Sequence, residues 1–177
     1  MATDAKGSAA EAEPPRSCGD CRLCCKVLAV DAIGKPARVW CEHSKAGIGC
    51  TIYDDRPAAC RTFRCLWLDR LELGDQWQPH LSHFVLYLDG PQLVVNVDSE
   101  HPGAWRRQPY RDAIRAWAAR GLTEGLQIVV KTGRQVTAIL PDQEIDLGEV
   151  ADDEYIKLSR VRTPEGVRLV AQKLPVG

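Results

Sequence analysis

Eight cysteines fall between Cys18 and Cys65, and none follows in the longer remainder of the chain. A set that dense constrains the fold more than any hydrophobic pattern does, because buried apolar thiols normally occur singly. Two chemistries gather cysteines in this way, disulfides in oxidising compartments and metal sites in reducing ones. The first residues, MATDAKGSAAEAEPPR, contain no apolar h-region, and no later window approaches roughly 18 consecutive apolar residues. The expectation is a cytoplasmic protein without a membrane span, in which thiols stay reduced and the cysteines serve as metal ligands.

Cys18, Cys21, Cys24 and Cys25 sit in the run CGDCRLCCK. Two-residue gaps let a loop curl so that successive thiolates face one centre, as in zinc and iron-sulfur sites. Cys41, Cys50, Cys60 and Cys65 are more widely spaced and have to be brought in by the fold. Three cysteines at two-residue spacing suit an iron-sulfur cubane, whose separate corners take separate ligands, whereas zinc gathers its ligands at about 2.3 Å around one point. The count of eight, in turn, matches two tetrahedral sites of four, and adjacent Cys24 and Cys25 are hard to place on one small ion. Eight ligands divide into two sets of four in about 35 ways, so spacing leaves both the metal and the pairing open.

Four thiolates around Zn²⁺, or around a cluster core of the same charge, leave about two negative charges. Arg22, Lys26, Arg56, Arg61 and Arg64 lie near the cysteines in sequence and can offset them. His43 follows Cys41 by two residues and is a candidate ligand, although a histidine so placed more often donates a hydrogen bond beside the site. Asp54-Asp55-Arg56-Pro57 reads as an acidic cap and a proline-containing first turn of a helix that carries Cys60. If that helix continued, Cys60 and Cys65 would stand about 140° apart around its axis, so either it ends by Phe63 or the two cysteines serve different roles. Tyr53 and Phe63 are expected to wall the site from solvent. Should Cys24 or Cys25 be left without metal, its thiolate would be reactive instead.

Residues 1 to 16 have the Ala, Glu, Pro and Ser content of a disordered tail. Residues 17 to 73 read as an irregular, cysteine-rich metal-binding module. Residues 74 to 177 read as a mainly antiparallel β segment with one amphipathic helix near 109 to 120, which makes the fold class α+β. Hairpins are expected at Asp89-Gly90, at Thr132-Gly133 and at Thr163-Pro164-Glu165-Gly166, together suggesting a meander. In the helix, Tyr110, Ala113, Ile114, Trp117 and Ala118 follow the spacing of a buried stripe, with Pro109 at its start and Gly121 at its end.

With 23 basic and 24 acidic residues the chain has a formal net charge of -1, and no overall field draws it to nucleic acid or lipid. Arg106, Arg107, Arg111, Arg115 and Arg120 lack interleaved stacking aromatics and read as a solvated helix face. His80, His83 and His101 have no ligand spacing, and the acidic stretch from Asp142 to Glu154 has no calcium-loop spacing and reads as loop and strand end. No phosphate-binding glycine loop, nucleophile elbow or HExxH motif is present, and no catalytic constellation is assigned.

CGDCRLCCK, Cys41-Glu42-His43, Gly49-Cys50-Thr51-Ile52-Tyr53 and Arg56-Pro57-Ala58-Ala59-Cys60-Arg61-Thr62-Phe63-Arg64-Cys65 together resemble the bacterial YkgJ-type cysteine-cluster family. That resemblance covers roughly residues 18 to 68. It implies a zinc- or iron-chelating domain in a bacterial cytoplasmic protein, and in some relatives a label as iron-sulfur protein or oxidoreductase. Three classes of function follow: a metal-binding structural or interaction module with a protein partner, an iron-sulfur electron carrier or oxidoreductase, and a protein that stores or delivers zinc or iron.

Overall fold

The structure, a computed structural model, describes residues 16–151, 154–164 and 166–175. In chain order the elements are α1 (Cys24–Val27), β1 (Ser44–Lys45), β2 (Gly49–Cys50), α2 (Ala58–Thr62), α3 (Leu66–Asp69), α4 (Pro79–Ser82), β3 (Phe84–Asp89) and β4 (Gln92–Val97). They are followed by α5 (Tyr110–Glu124), β5 (Gln127–Thr132), β6 (Gln135–Ile139), β7 (Glu144–Glu149), β8 (Glu154–Thr163) and β9 (Gly166–Pro175). The fold class is α+β, with mostly antiparallel strands and one long helix.

All three expected hairpins form: β3–β4, β5–β6 and β8–β9 are antiparallel pairs. The third turn includes Glu165, which lies outside the described residues. They do not make a meander. The five-stranded sheet has the order β3-β4-β5-β6-β7, and β4 pairs with β5 in parallel, while β8 and β9 form a sheet of their own. The physical reason is the helix: a parallel pair needs a long crossover, and α5 lies between β4 and β5. The acidic stretch, expected as loop and strand end, supplies more than that, the whole edge strand β7, whose charged residues suit a position with one unpaired side.

Central strands are buried on both faces. Leu93, Val95, Val97, Ile128 and Val130 join one core with Ile114 and Ala118 of α5, and Leu23, Val27, Cys65 and Trp67 of the cysteine-rich segment join the same core. The alternate residues Val94, Val129 and Val136 pack with Ile156 of β8 on the other side. Trp77 fastens α5 through edge-on or tilted contacts with Tyr110 at 5.0 Å and Trp117 at 4.9 Å, and the Tyr110 hydroxyl donates to the Gln76 carbonyl at 2.7 Å.

The helix starts after Pro109 as expected but runs through Gly121 to a left-handed cap at Gly125, φ +76°. Gly121 serves close packing instead of termination, because a Cβ there would sit 2.4 Å from the Leu126 carbonyl oxygen. Residues 1 to 15 of the expected tail lie outside the described residues. Arg16, the last of that tail, is engaged: its guanidinium donates to the Trp67 carbonyl at 2.8 Å and lies 4.8 Å over the Trp67 ring.

Candidate metal centre

The cysteine-rich segment is assembled from pieces too short to hold their own shape. Its helices α1, α2 and α3 have four or five residues each, far below the length at which a helix persists alone. Proline at position 57 caps α2 without any side-chain bond, so Asp54 and Asp55 are not the cap that their sequence suggests. That helix ends at Thr62, and Phe63 is already extended, which separates Cys60 from Cys65 by a break and releases both to face a common space. Hydrogen bonds outside regular structure do the joining: Cys21 N–H donates to the Cys18 carbonyl at 2.8 Å, Cys41 N–H to the Cys25 carbonyl at 3.0 Å, and Ser44 N–H to the Cys41 carbonyl at 3.0 Å. Pairing of β1 with β2 then sets Ser44 opposite Cys50.

These connections bring every cysteine to one place. A single cavity of about 880 Å³ is lined by all eight, and all eight are free thiols. Family models, curated proteins and solved structures yield no match to this chain. The site has to be judged on its own chemistry.

Its donors are soft sulfur, the ligand type that selects zinc and iron-sulfur clusters over calcium or magnesium. Among the described residues, no three Cys, His, Asp or Glu side chains converge tightly on one point. The sulfurs are distributed along the cavity wall. Burial raises the Cys18, Cys21, Cys60 and Cys65 thiols above their ordinary pKa, so on their own they stay protonated. Cys24 and Cys25 behave as a pair: the Cys24 thiol donates to Cys25, which pushes Cys24 up and Cys25 down. Ser44 and the charges of Lys35 and Arg22 also favour the Cys25 thiolate. A bound metal ion would deprotonate the remaining thiols directly.

One wall residue lacks a partner. Trp67 is 7% exposed and lines the cavity, and among the described residues nothing accepts a hydrogen bond from its indole Nε1. A buried N–H without an acceptor is unfavourable by about 1–3 kcal/mol. By the chemistry of the donor set, eight free thiols on one wall, the residues present fit a thiolate-ligated metal centre.

Cations follow the sequence expectation in part: Arg22 favours the thiolate of Cys25, Arg64 that of Cys18, and Arg56 those of Cys18 and Cys60. Lys26 is used elsewhere: its ammonium lies 2.8 Å from Asp98 and 2.8 Å from Glu100, tying α1 to the end of β4. Lys35, which sequence reasoning did not single out, is 7% exposed, donates to the Lys26 carbonyl at 2.9 Å and to the Leu28 carbonyl, and lies within electrostatic reach of Cys25 and Cys41. Arg64 is within reach of Cys18 and Cys65 but is held by Asp69. Arg22 donates to the Ser44 hydroxyl at 3.2 Å. The arginine run follows its expectation in part, as Arg106 and Arg115 both contact Glu144.

His43 lines the cavity beside the cysteines and contacts Glu42 at 3.5 Å. Phe63 is half-buried on the wall, as expected, whereas Tyr53 is 53% exposed and forms the rim with Arg56 stacked 3.5 Å over its ring. His83 and His101, read as ordinary, stack at 3.8 Å on the far side of the Lys26–Asp98 pair, and burial followed by the His101 charge lowers the His83 pKa.

Proposed function

We propose that this chain is a metal-binding protein whose Cys18, Cys21, Cys24, Cys25, Cys41, Cys50, Cys60 and Cys65 hold an iron-sulfur cluster or zinc, and that it acts as a structural or interaction module. The observation that carries this reading is the convergence of all eight cysteines on one cavity from pieces spread along the N-terminal part of the chain. Resemblance of the cysteine pattern to the YkgJ-type zinc- or iron-chelating family points the same way, and the reading takes the chain to work in a reducing, cytoplasmic setting, where thiols stay free for metal.

The metal contributes folding energy, because the ligands lie on segments that have no regular structure long enough to order alone. A protein partner is the favoured occupant of the outer surface, since the near-zero net charge offers nucleic acid no general attraction. No helix among the described residues is long and apolar enough to cross a membrane. An electron-carrying role is the second reading, favoured by a rim that includes exposed residues such as Ile48 and Tyr53, through which electrons could enter.

The test is elemental metal and acid-labile sulfide on protein purified without oxygen, with its visible spectrum. Metal in stoichiometric amount is expected. Iron with matching sulfide and a brown charge-transfer band selects the cluster and opens the redox reading, and zinc without sulfide selects the structural module. Protein that carries neither metal when purified and takes up neither on reconstitution contradicts the proposal.

A further inference from the structure

We propose that Lys35 is the buried counter-cation of the metal centre: its ammonium closes the carbonyl end of α1, and its charge is balanced by the negative charge that the cysteines acquire when they bind metal. This rests on the metal-binding reading above and gives a role to a residue that is not a ligand.

The helix α1 carries the adjacent pair Cys24 and Cys25, and at four residues it is too short to satisfy its own last carbonyls. Each of these is taken up by a different group. The Cys24 carbonyl accepts from Leu28 N–H at 3.1 Å and the Cys25 carbonyl from Cys41 N–H at 3.0 Å. The Lys26 and Leu28 carbonyls both accept from the Lys35 ammonium, the first at 2.9 Å. A tight loop returns Lys35 to this place. Val30 and Lys35 exchange both backbone hydrogen bonds, at 2.8 and 3.1 Å, around a 3-10 turn at Asp31–Ile33 and Gly34 in the left-handed region at φ +61°.

Two lysines are therefore buried at this end of α1, and only one of them is balanced. Lys26 is 4% exposed and meets Asp98 and Glu100 at 2.8 Å each. Lys35 is 7% exposed, and among the described residues its partners are two neutral carbonyls and no carboxylate. Carbonyls satisfy its donors and leave its charge uncompensated, and a buried charge is costly unless an opposite one is near.

Sulfur is placed to supply that charge. Cys25 precedes Lys26, whose carbonyl holds the ammonium, Cys41 is bonded to Cys25, and both cysteines line the cavity. A bound metal ion displaces the thiol protons, and four thiolates around Zn²⁺, or around a cluster core of the same charge, then leave about two negative charges. Lys35 is not one of the residues that line the cavity, so it acts from behind the wall, through α1 and through its charge. Little solvent lies between to screen it.

Cobalt(II) titration of the full chain, reduced and freed of metal beforehand, tests this with three variants. Lys35→Arg keeps the charge and the donors, Lys35→Gln keeps a donor without the charge, and Lys35→Met drops both. Lys35→Arg is expected to bind cobalt as the wild type does, and the two neutral variants about 10–100-fold more weakly, the range for groups that support metal ligands from outside. At saturating cobalt the thiolate-to-cobalt absorption of both neutral variants is expected to move to longer wavelength, because a nearby cation holds the sulfur electrons more tightly. A residue that only caps α1 would weaken binding and leave the band in place, so an unmoved band in both neutral variants overturns the proposal. Wild-type affinity in Lys35→Gln overturns it as well, as does a loss in Lys35→Arg equal to that in Lys35→Met. Neutral variants that bind no cobalt, beside Lys35→Arg that binds it normally, support the need for the charge. Wild-type protein that takes up no cobalt would overturn the metal-binding reading itself.

Discussion

Chelation of the metal is expected to unfold the cysteine-rich segment and to lower the stability of the whole chain by many kilocalories per mole. Structural zinc in small domains contributes an apparent binding free energy of about 10–16 kcal/mol near neutral pH. Here that energy has few substitutes locally, because α1 to α3 and the two-residue strands β1 and β2 cannot persist alone. The effect spreads because Leu23, Val27, Cys65 and Trp67 share a core with the sheet. Amide hydrogen exchange checks it. Protection at the N–H groups of Cys21, Cys41 and Ser44 is expected to vanish on chelation, while β4 and β5 retain much of theirs. Unchanged exchange at those amides would mean that the segment is held by packing alone.

Lys26→Ala is expected to destabilise the metal-loaded protein by about 3–5 kcal/mol, the range for breaking a buried ion pair from one side. Its ammonium and the Asp98 carboxylate are 5% and 6% exposed at 2.8 Å, and Glu100 adds a contact from a largely exposed position. Burial opposes the Asp98 charge, but the hydrogen bonds from Lys26 and from the Glu100 N–H overcome it and hold the carboxyl below its usual range. Burial likewise opposes the Lys26 charge, and its two acidic partners raise it. A depressed carboxyl contributes stability above its unfolded pKa of about 3.9 and loses it in acid, whereas a raised lysine contributes below about 10.4 and loses it in base. The loss on substitution is therefore expected to be flat from roughly pH 5 to 9. Urea unfolding of Lys26→Ala beside Lys26→Met with Asp98→Leu measures it. The apolar pair is expected to recover most of the stability, and a Lys26→Ala effect below about 1 kcal/mol would assign the pair a surface role.

Local signals in this sequence were readable and non-local ones were not. Asp89-Gly90 and Thr132-Gly133 marked their hairpins because turn chemistry acts within a few residues. The parallel pairing of β4 with β5 was carried only by the order strand, helix, strand, a weaker cue that the three hairpins masked. Cysteine density pointed to metal chemistry and left the number of centres open, and the break at Phe63 was one of two alternatives that the Cys60–Cys65 spacing allowed. The joining of the segment was not legible, since it depends on Arg16 reaching Trp67 and on Cys41 bonding to Cys25. Lys26 illustrates the same limit: its neighbours in sequence are cysteines, but its partner is Asp98 at the end of the sheet.

Residue-resolved alkylation decides whether these eight cysteines hold metal. Protein purified without oxygen is treated with a thiol reagent before and after chelation, and each modified cysteine is read by mass spectrometry. Protection of Cys18, Cys21, Cys24, Cys25, Cys41, Cys50, Cys60 and Cys65 before chelation, and modification of all eight afterwards, is the predicted result. Modification of the full set at the same rate with and without chelator, in protein shown to be reduced, would contradict it.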